Sequence, residues 1–77
     1  SPATSLSVWE INYLLTKLTV EQVMTRSVIT IGADRRTQEA VRLMREKNIG
    51  CIPVVDGRAL VGIVTGRDML KVLWEFL

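Results

Sequence analysis

Seventy-seven residues, 48% of them apolar and 23% charged, make one small folding domain, outside the disordered class and too short for an elaborate active site. Ten Lys and Arg against eight Asp and Glu leave a net charge of +2, but only Arg35 and Arg36 are adjacent, so no nucleic-acid footprint is present. With no His and only one Cys, Cys51, the composition excludes an internal disulfide and the usual zinc-ligand sets.

Taken in chain order, SPATSL is small and polar with a proline and reads as a frayed linker end. Ser7 followed three residues on by Glu10 is a capping box, and Val8, Ile11, Leu14, Leu15 and Leu18 recur at helical spacing, which predicts an amphipathic helix from Val8 to Lys17. Trp9 and Tyr13 widen its apolar stripe beyond what a helix in water tolerates, so it must pack on something. Residues 1–18 are therefore expected to be a linker segment, and 19–77 the domain proper. Thr19 and Gln22 frame a short turn with Val20, Val23 and Met24 inward. Val28 to Ile31 is β-branched and bounded by Ser27 and Gly32, which suits a strand. Asp34 is placed to cap a helix from Arg35 to Lys47, with Ala40, Val41 and Met44 facing the core and Arg42, Arg45 and Glu46 facing solvent.

Asn48 and Gly50 suit the left-handed end of that helix, and CIPVV reads as a second strand, apolar enough for burial on both faces. Asp56-Gly57 gives a tight turn, and LVGIV returns antiparallel. Thr65 then caps a final helix with Asp68 at its third position and Met69, Leu70, Leu73, Phe76 and Leu77 inward. The expected class is α+β, a β-α-β-β-α unit whose small three-stranded sheet packs against two helices, preceded by an N-terminal linker helix.

From Thr19 to Leu73 the chain resembles a single CBS domain, the unit paired in Bateman modules. The carriers are Val23-Met24-Thr25, Ala40-Val41-Arg42-Leu43-Met44, Ile52-Pro53-Val54-Val55-Asp56 with Gly57, and Leu60-Val61-Gly62-Ile63-Val64-Thr65 followed by Asp68. Each piece alone is weak, but their order and spacing together are specific. The leading SLSVWEINYLLTKLTVEQVMT is similar to the linker between repeats in acetoin-utilisation-type CBS-pair proteins, which makes this a second repeat. The opening Ser-Pro-Ala-Thr, with no initiator Met, enters mid-linker, so a fragment of a longer two-repeat chain is expected. The family packs two repeats face to face around adenosine-type ligands. One repeat leaves apolar faces uncovered, and a domain of this size buries only about 60% of its unfolded surface, so a homodimer that rebuilds the pair is expected.

Thr65-Gly66-Arg67-Asp68 supports two compatible readings. As a cap, Thr65 accepts from the first helical amides and Asp68 complements the dipole. By the resemblance, Asp68 accepts the ribose hydroxyls, Thr65 and free amides meet phosphate, and Arg67 adds a charge-assisted contact. The run Ile49-Gly50-Cys51-Ile52-Pro53 would wall the base pocket in the family, and as structure it is a helix stop followed by a buried strand. Thr25 and Ile29 would close the opposite side of the base, or serve only as turn and core. Cys51 reads as a lining residue, since no His exists to activate it. Met24, Met44 and Met69 read as core filler, and Trp9 and Trp74 as packing or interface aromatics.

The resemblance therefore implies a non-enzymatic regulatory domain that requires no cofactor and senses AMP, ADP, ATP or another adenosine compound through dimer packing. The alternative is a ligand-free dimerisation or interaction module. No activated nucleophile and no paired carboxylate supports an enzyme. No apolar run approaches the roughly 20 residues of a membrane helix, and no signal-peptide layout opens the chain, so neither membrane nor nucleic acid is an expected partner and a cytoplasmic location is.

Overall fold

The computed structural model describes residues 6–77, so the first five residues of the expected linker end lie outside it. The elements run α1 (Val8–Lys17), α2 (Val20–Val23), β1 (Ile31–Gly32), α3 (Thr37–Lys47), β2 (Cys51–Asp56), β3 (Ala59–Thr65) and α4 (Gly66–Glu75). The strands form one mixed sheet in the order β1-β2-β3, with β1 parallel and β3 antiparallel to β2. This is the small α+β architecture that the sequence predicts.

The local signals are met at the starts of α1, α2 and α4. Ser7 Oγ accepts from the Glu10 N–H at 3.2 Å and donates to its carboxylate at 3.0 Å, closing the cap of α1. The Thr19 N–H donates to Gln22 Oε1 at 2.8 Å at the head of α2. Asn48 ends α3 with φ 53, and Gly57, at φ 61, makes the turn between β2 and β3 that a side chain would strain. Gly50 has no positive φ, so Asn48 alone supplies the left-handed step.

The strand expected over Val28 to Ile31 pairs only at Ile31 and Gly32, and the reason lies in its partner. The Ala33 N–H donates to the Val55 carbonyl at 2.9 Å, so the odd-numbered residues of β2 turn their backbone groups toward β1. Pro53 has the same parity and no N–H, which removes the donor that would have met Ile29 and stops the ladder. Asp34 does not cap α3. The Arg35 N–H donates to the Gly32 carbonyl at 3.1 Å, closing a turn over which Asp34 folds; Arg36 stays extended at φ −77 and ψ 145 and is the cap residue, so the helix starts at Thr37.

α3 and α4 lie on one face of the sheet. The core there consists of Ile31, Ala40 and Ile52, with Leu43, Met44, Ile49, Val54 and Val64 packed around them. Val41 is 46% exposed, so Leu43 rather than Val41 completes the inward face of α3. β2 is not buried on both faces: Ile52 is fully buried, but Cys51 is exposed and Pro53, Val54 and Val55 are half-buried. On the outer face Pro53 stands opposite Ile63 and Val55 opposite Leu60, with Ile63 and Leu60 exposed. Leu70, Leu73, Phe76 and Leu77 are also exposed, which leaves Met69, half-buried, as the inward residue of the set expected on α4. Trp9 and Trp74 sit in solvent, and Val20, Val23 and Met24 are exposed rather than inward, because α1 and α2 bury no residue.

Candidate functional site

A cleft of about 430 Å³ opens between the segment preceding β1 and the start of β2, lined by Thr25, Ser27, Val28, Ile29, Ile49, Gly50, Cys51 and Pro53. Its position follows from the backbone. The chain between α2 and β1 makes no ladder past Pro53, so it stands off from β2 and leaves a gap where a longer strand would have closed the sheet. Thr25, Ile29, Ile49, Gly50, Cys51 and Pro53, expected in sequence to contribute to one pocket, meet here. Ile52, expected in the same wall, does not; strand alternation turns it into the core. Ser27 and Val28 also line the cleft, and nothing in the sequence distinguished them from a strand boundary and its first residue. Cys51 carries a free, exposed thiol.

Thr65, Arg67 and Asp68 lie beside this cleft rather than in its wall. Two contacts fix them there. Thr65 is the cross-strand partner of Cys51, and the Gly66 N–H donates to the Gly50 carbonyl at 3.1 Å. The first turn of α4 is thus tied to the Gly50 rim.

That turn is a closed capping box. The Asp68 N–H donates to Thr65 Oγ1 at 3.2 Å, while Asp68 Oδ2 accepts from the Thr65 N–H at 2.8 Å and from the Thr65 hydroxyl at 2.9 Å. These hydrogen bonds, backbone first and hydroxyl second, hold the Asp68 carboxyl below its ordinary pKa, so it is an anion at neutral pH. All three bonds leave Oδ1 unused, an acceptor available to a hydroxyl-bearing ligand. Arg67 is exposed.

No group of three or more His, Cys, Asp or Glu side chains is placed to hold a metal among the described residues. No helix among them is long and apolar enough to cross a membrane.

The comparisons with known proteins agree on the family. Residues 20–75 match the CBS domain, and the chain belongs to that family, a regulatory module. It is similar to the CBS domain pair of protein MJ0100, solved in complex with 5′-methylthioadenosine and S-adenosyl-L-methionine: the TM-score is 0.75 at 36% identity, over 94% of this chain and 60% of that one. Among curated relatives it is 51% identical over 49 residues to inosine-5′-monophosphate dehydrogenase of Korarchaeum cryptofilum, covering 64% of this chain and 10% of the relative. It is 42% identical over 50 residues to the CBS domain-containing protein YhcV of Bacillus subtilis, covering 65% of this chain and 36% of the relative. The chain thus spans between a tenth and about a third of these two relatives' length.

Proposed function

We propose that this chain is a non-enzymatic regulatory module that binds an adenosine compound (AMP, ADP, ATP or a related adenosine ligand) and acts by changing how two repeats pack. The observation that carries the reading is the hydrogen bond from Gly66 to Gly50, which joins the cleft to the Thr65–Asp68 turn. Thr25, Ile29, Gly50, Cys51 and Pro53 hold the base, and Asp68 Oδ1 accepts from the ribose. Thr65 orders the carboxylate, and Arg67 meets the 5′ end of the ligand. The adenosine ligands of the MJ0100 domain pair support this class of ligand.

Residues 19–77 are the domain in this reading, and 1–18 a linker segment of a second, acetoin-utilisation-type repeat. The pair is rebuilt as a homodimer in the cytoplasm. A ligand touching both copies favours the closed packing; micromolar binding supplies about 8 kcal/mol, ample for a modest shift between packings. Titration calorimetry on the Asp68→Ala variant tests the site. The expected result is loss of adenosine-ligand binding with the far-UV spectrum preserved, and equal affinity in the variant removes Asp68 from the site.

A second reading, a dimerisation module without ligand, is favoured by the exposed apolar residues Leu60 and Ile63 on the outer sheet face. Native mass spectrometry with and without AMP, ATP and S-adenosylmethionine separates the two. A dimer that retains a compound supports the sensor, and a dimer that ignores all of them supports the interaction module.

A further inference from the structure

The stripe that α4 turns away from the domain has no cover. Leu70, Leu73 and Leu77 recur at steps of three and four along the helix and its end, with Trp74 beside them, and all are between 59 and 96% exposed. Half-buried Met69 is the side that faces the domain, and Lys71 and Glu75 form a charged flank, so the leucines make a third, apolar face. α1 carries the same pattern. Val8, Ile11, Leu15 and Leu18 recur at steps of three, four and three, are between 44 and 80% exposed, and belong to an element outside every well-packed pair of the fold. Alternating steps of three and four are the seam along which two helices interlock, and water is a poor partner for either one.

The area that a stable dimer needs decides what covers them. Burying one aliphatic side chain removes about 60–120 Å² of apolar surface, from its transfer free energy at about 25 cal/mol per Å². The outer sheet face offers exposed Leu60 and Ile63 beside half-buried Pro53 and Val55. That amounts to roughly 200–400 Å², short of the roughly 800 Å² that each partner contributes to a stable interface. The two helix stripes add about 300–600 Å² once their present exposure is allowed for, and the two surfaces together reach the required area.

Resting on the homodimer proposed above, we infer that α1 of each copy docks along the outer stripe of α4 in the second copy, so that two reciprocal helix pairs clasp the dimer made by the sheet faces. A two-fold axis makes this exchange self-complementary, because the stripe each chain leaves open on α4 receives the stripe the other leaves open on α1. Docking of α1 back onto its own α4 would cover both stripes but leave the sheet face as the whole interface, which is too small. The segment preceding the domain thereby becomes part of the assembly rather than a spacer.

Sedimentation velocity of the full chain over a concentration series tests the clasp, with Leu15→Glu and Leu73→Glu as variants at exposed positions on the two helices. Each is expected to raise the dimer dissociation constant by at least roughly tenfold with the far-UV spectrum unchanged, since a charge is then buried unpaired in the contact. Tryptophan emission of the parent should shift to shorter wavelength as it associates. Trp74→Phe should abolish that shift and Trp9→Phe should keep it, because Trp9 lies on the far side of α1 from the seam. Association weakened in only one of the two Glu variants, or in neither, overturns the clasp and leaves the sheet-face homodimer standing. A parent chain that is monomeric at every concentration overturns the homodimer as well.

Discussion

Ile52 is fully buried between the sheet and α3, whereas its neighbours Cys51 and Pro53 face the cleft. One position along β2 therefore decides whether a side chain enters the core or the wall of the cleft. Truncating Ile52 leaves a void that so small a core cannot refill, and Ile52→Ala is expected to lose roughly 3 kcal/mol. Against a total of about 4–12 kcal/mol for a chain of this length, that is a large share. Urea denaturation with an unchanged m-value checks it, and a loss below about 1 kcal/mol shows that the core collapses around the gap. Gly57 acts by backbone alone. Its φ of 61 is left-handed with nothing within 4 Å of a Cβ, so Gly57→Ala should lose about 1 kcal/mol from conformation, without any clash.

At the scale of elements, α4 is held at its start by Thr65 and Asp68 and α3 by the Arg35–Glu39 pair, whose two contacts are 2.9 and 2.6 Å. Replacing Thr65 by Ala removes an acceptor and a donor from the first turn of α4 and should destabilise by about 1 kcal/mol, read from thermal melts. Both carboxyls have folded-state pKa values below their ordinary ones, Asp68 through its bonds to Thr65 and Glu39 through its bond from Arg35. A group depressed by folding stabilises fully above its unfolded pKa and ceases to as pH falls through the folded one. Stability should therefore be flat near neutrality and decline as pH drops through and below the ordinary carboxylate range. An Asp68→Asn, Glu39→Gln double variant should flatten that acid limb, and an unchanged slope assigns acid sensitivity to other groups. These caps were legible in the sequence because Ser7–Glu10 and Thr65–Asp68 depend only on spacing along one turn. The shortness of β1 was not, since it depends on which edge of β2 Pro53 turns toward β1. The start of α3 was misread for a similar reason: Asp34 has a capping side chain, but the turn closed by Arg35 and Gly32 places it one step too early. Of the cleft lining, Thr25, Ile29, Ile49, Gly50, Cys51 and Pro53 were legible through the family pattern. Ser27 and Val28 were not, because standing off from β2 is a tertiary fact.

At the scale of the molecule, the exposed surface is large for a single compact chain of this mass, which supports the homodimer proposed above. The accessible area is 7173 Å², where a compact monomer of 8.7 kDa exposes about 4,700 Å², and the radius of gyration is 16.8 Å against about 11–12 Å for a compact chain of this length. The difference in area is several times the roughly 800 Å² that each partner contributes to a stable interface, so a second copy has ample surface to cover. The final-helix residues read as inward (Leu70, Leu73, Phe76 and Leu77) were legible as apolar but not as exposed, because hydropathy reports that a face needs cover and not what covers it. Pairing through the outer sheet face makes a specific demand on Ile63, which is 59% exposed and opposite Pro53 at the centre of that face. Ile63→Glu points away from the core, so the monomer fold should survive while the charge, unpaired inside an interface, opposes association. Native mass spectrometry should then show a dimer for the parent chain and a monomer for the variant. The melting temperature should rise with protein concentration only in the parent. A variant that remains dimeric moves the contact to the exposed apolar faces of α1 and α4, where Trp9 and Trp74 stand in solvent, and separates association from the sheet face that the Thr25–Pro53 cleft adjoins.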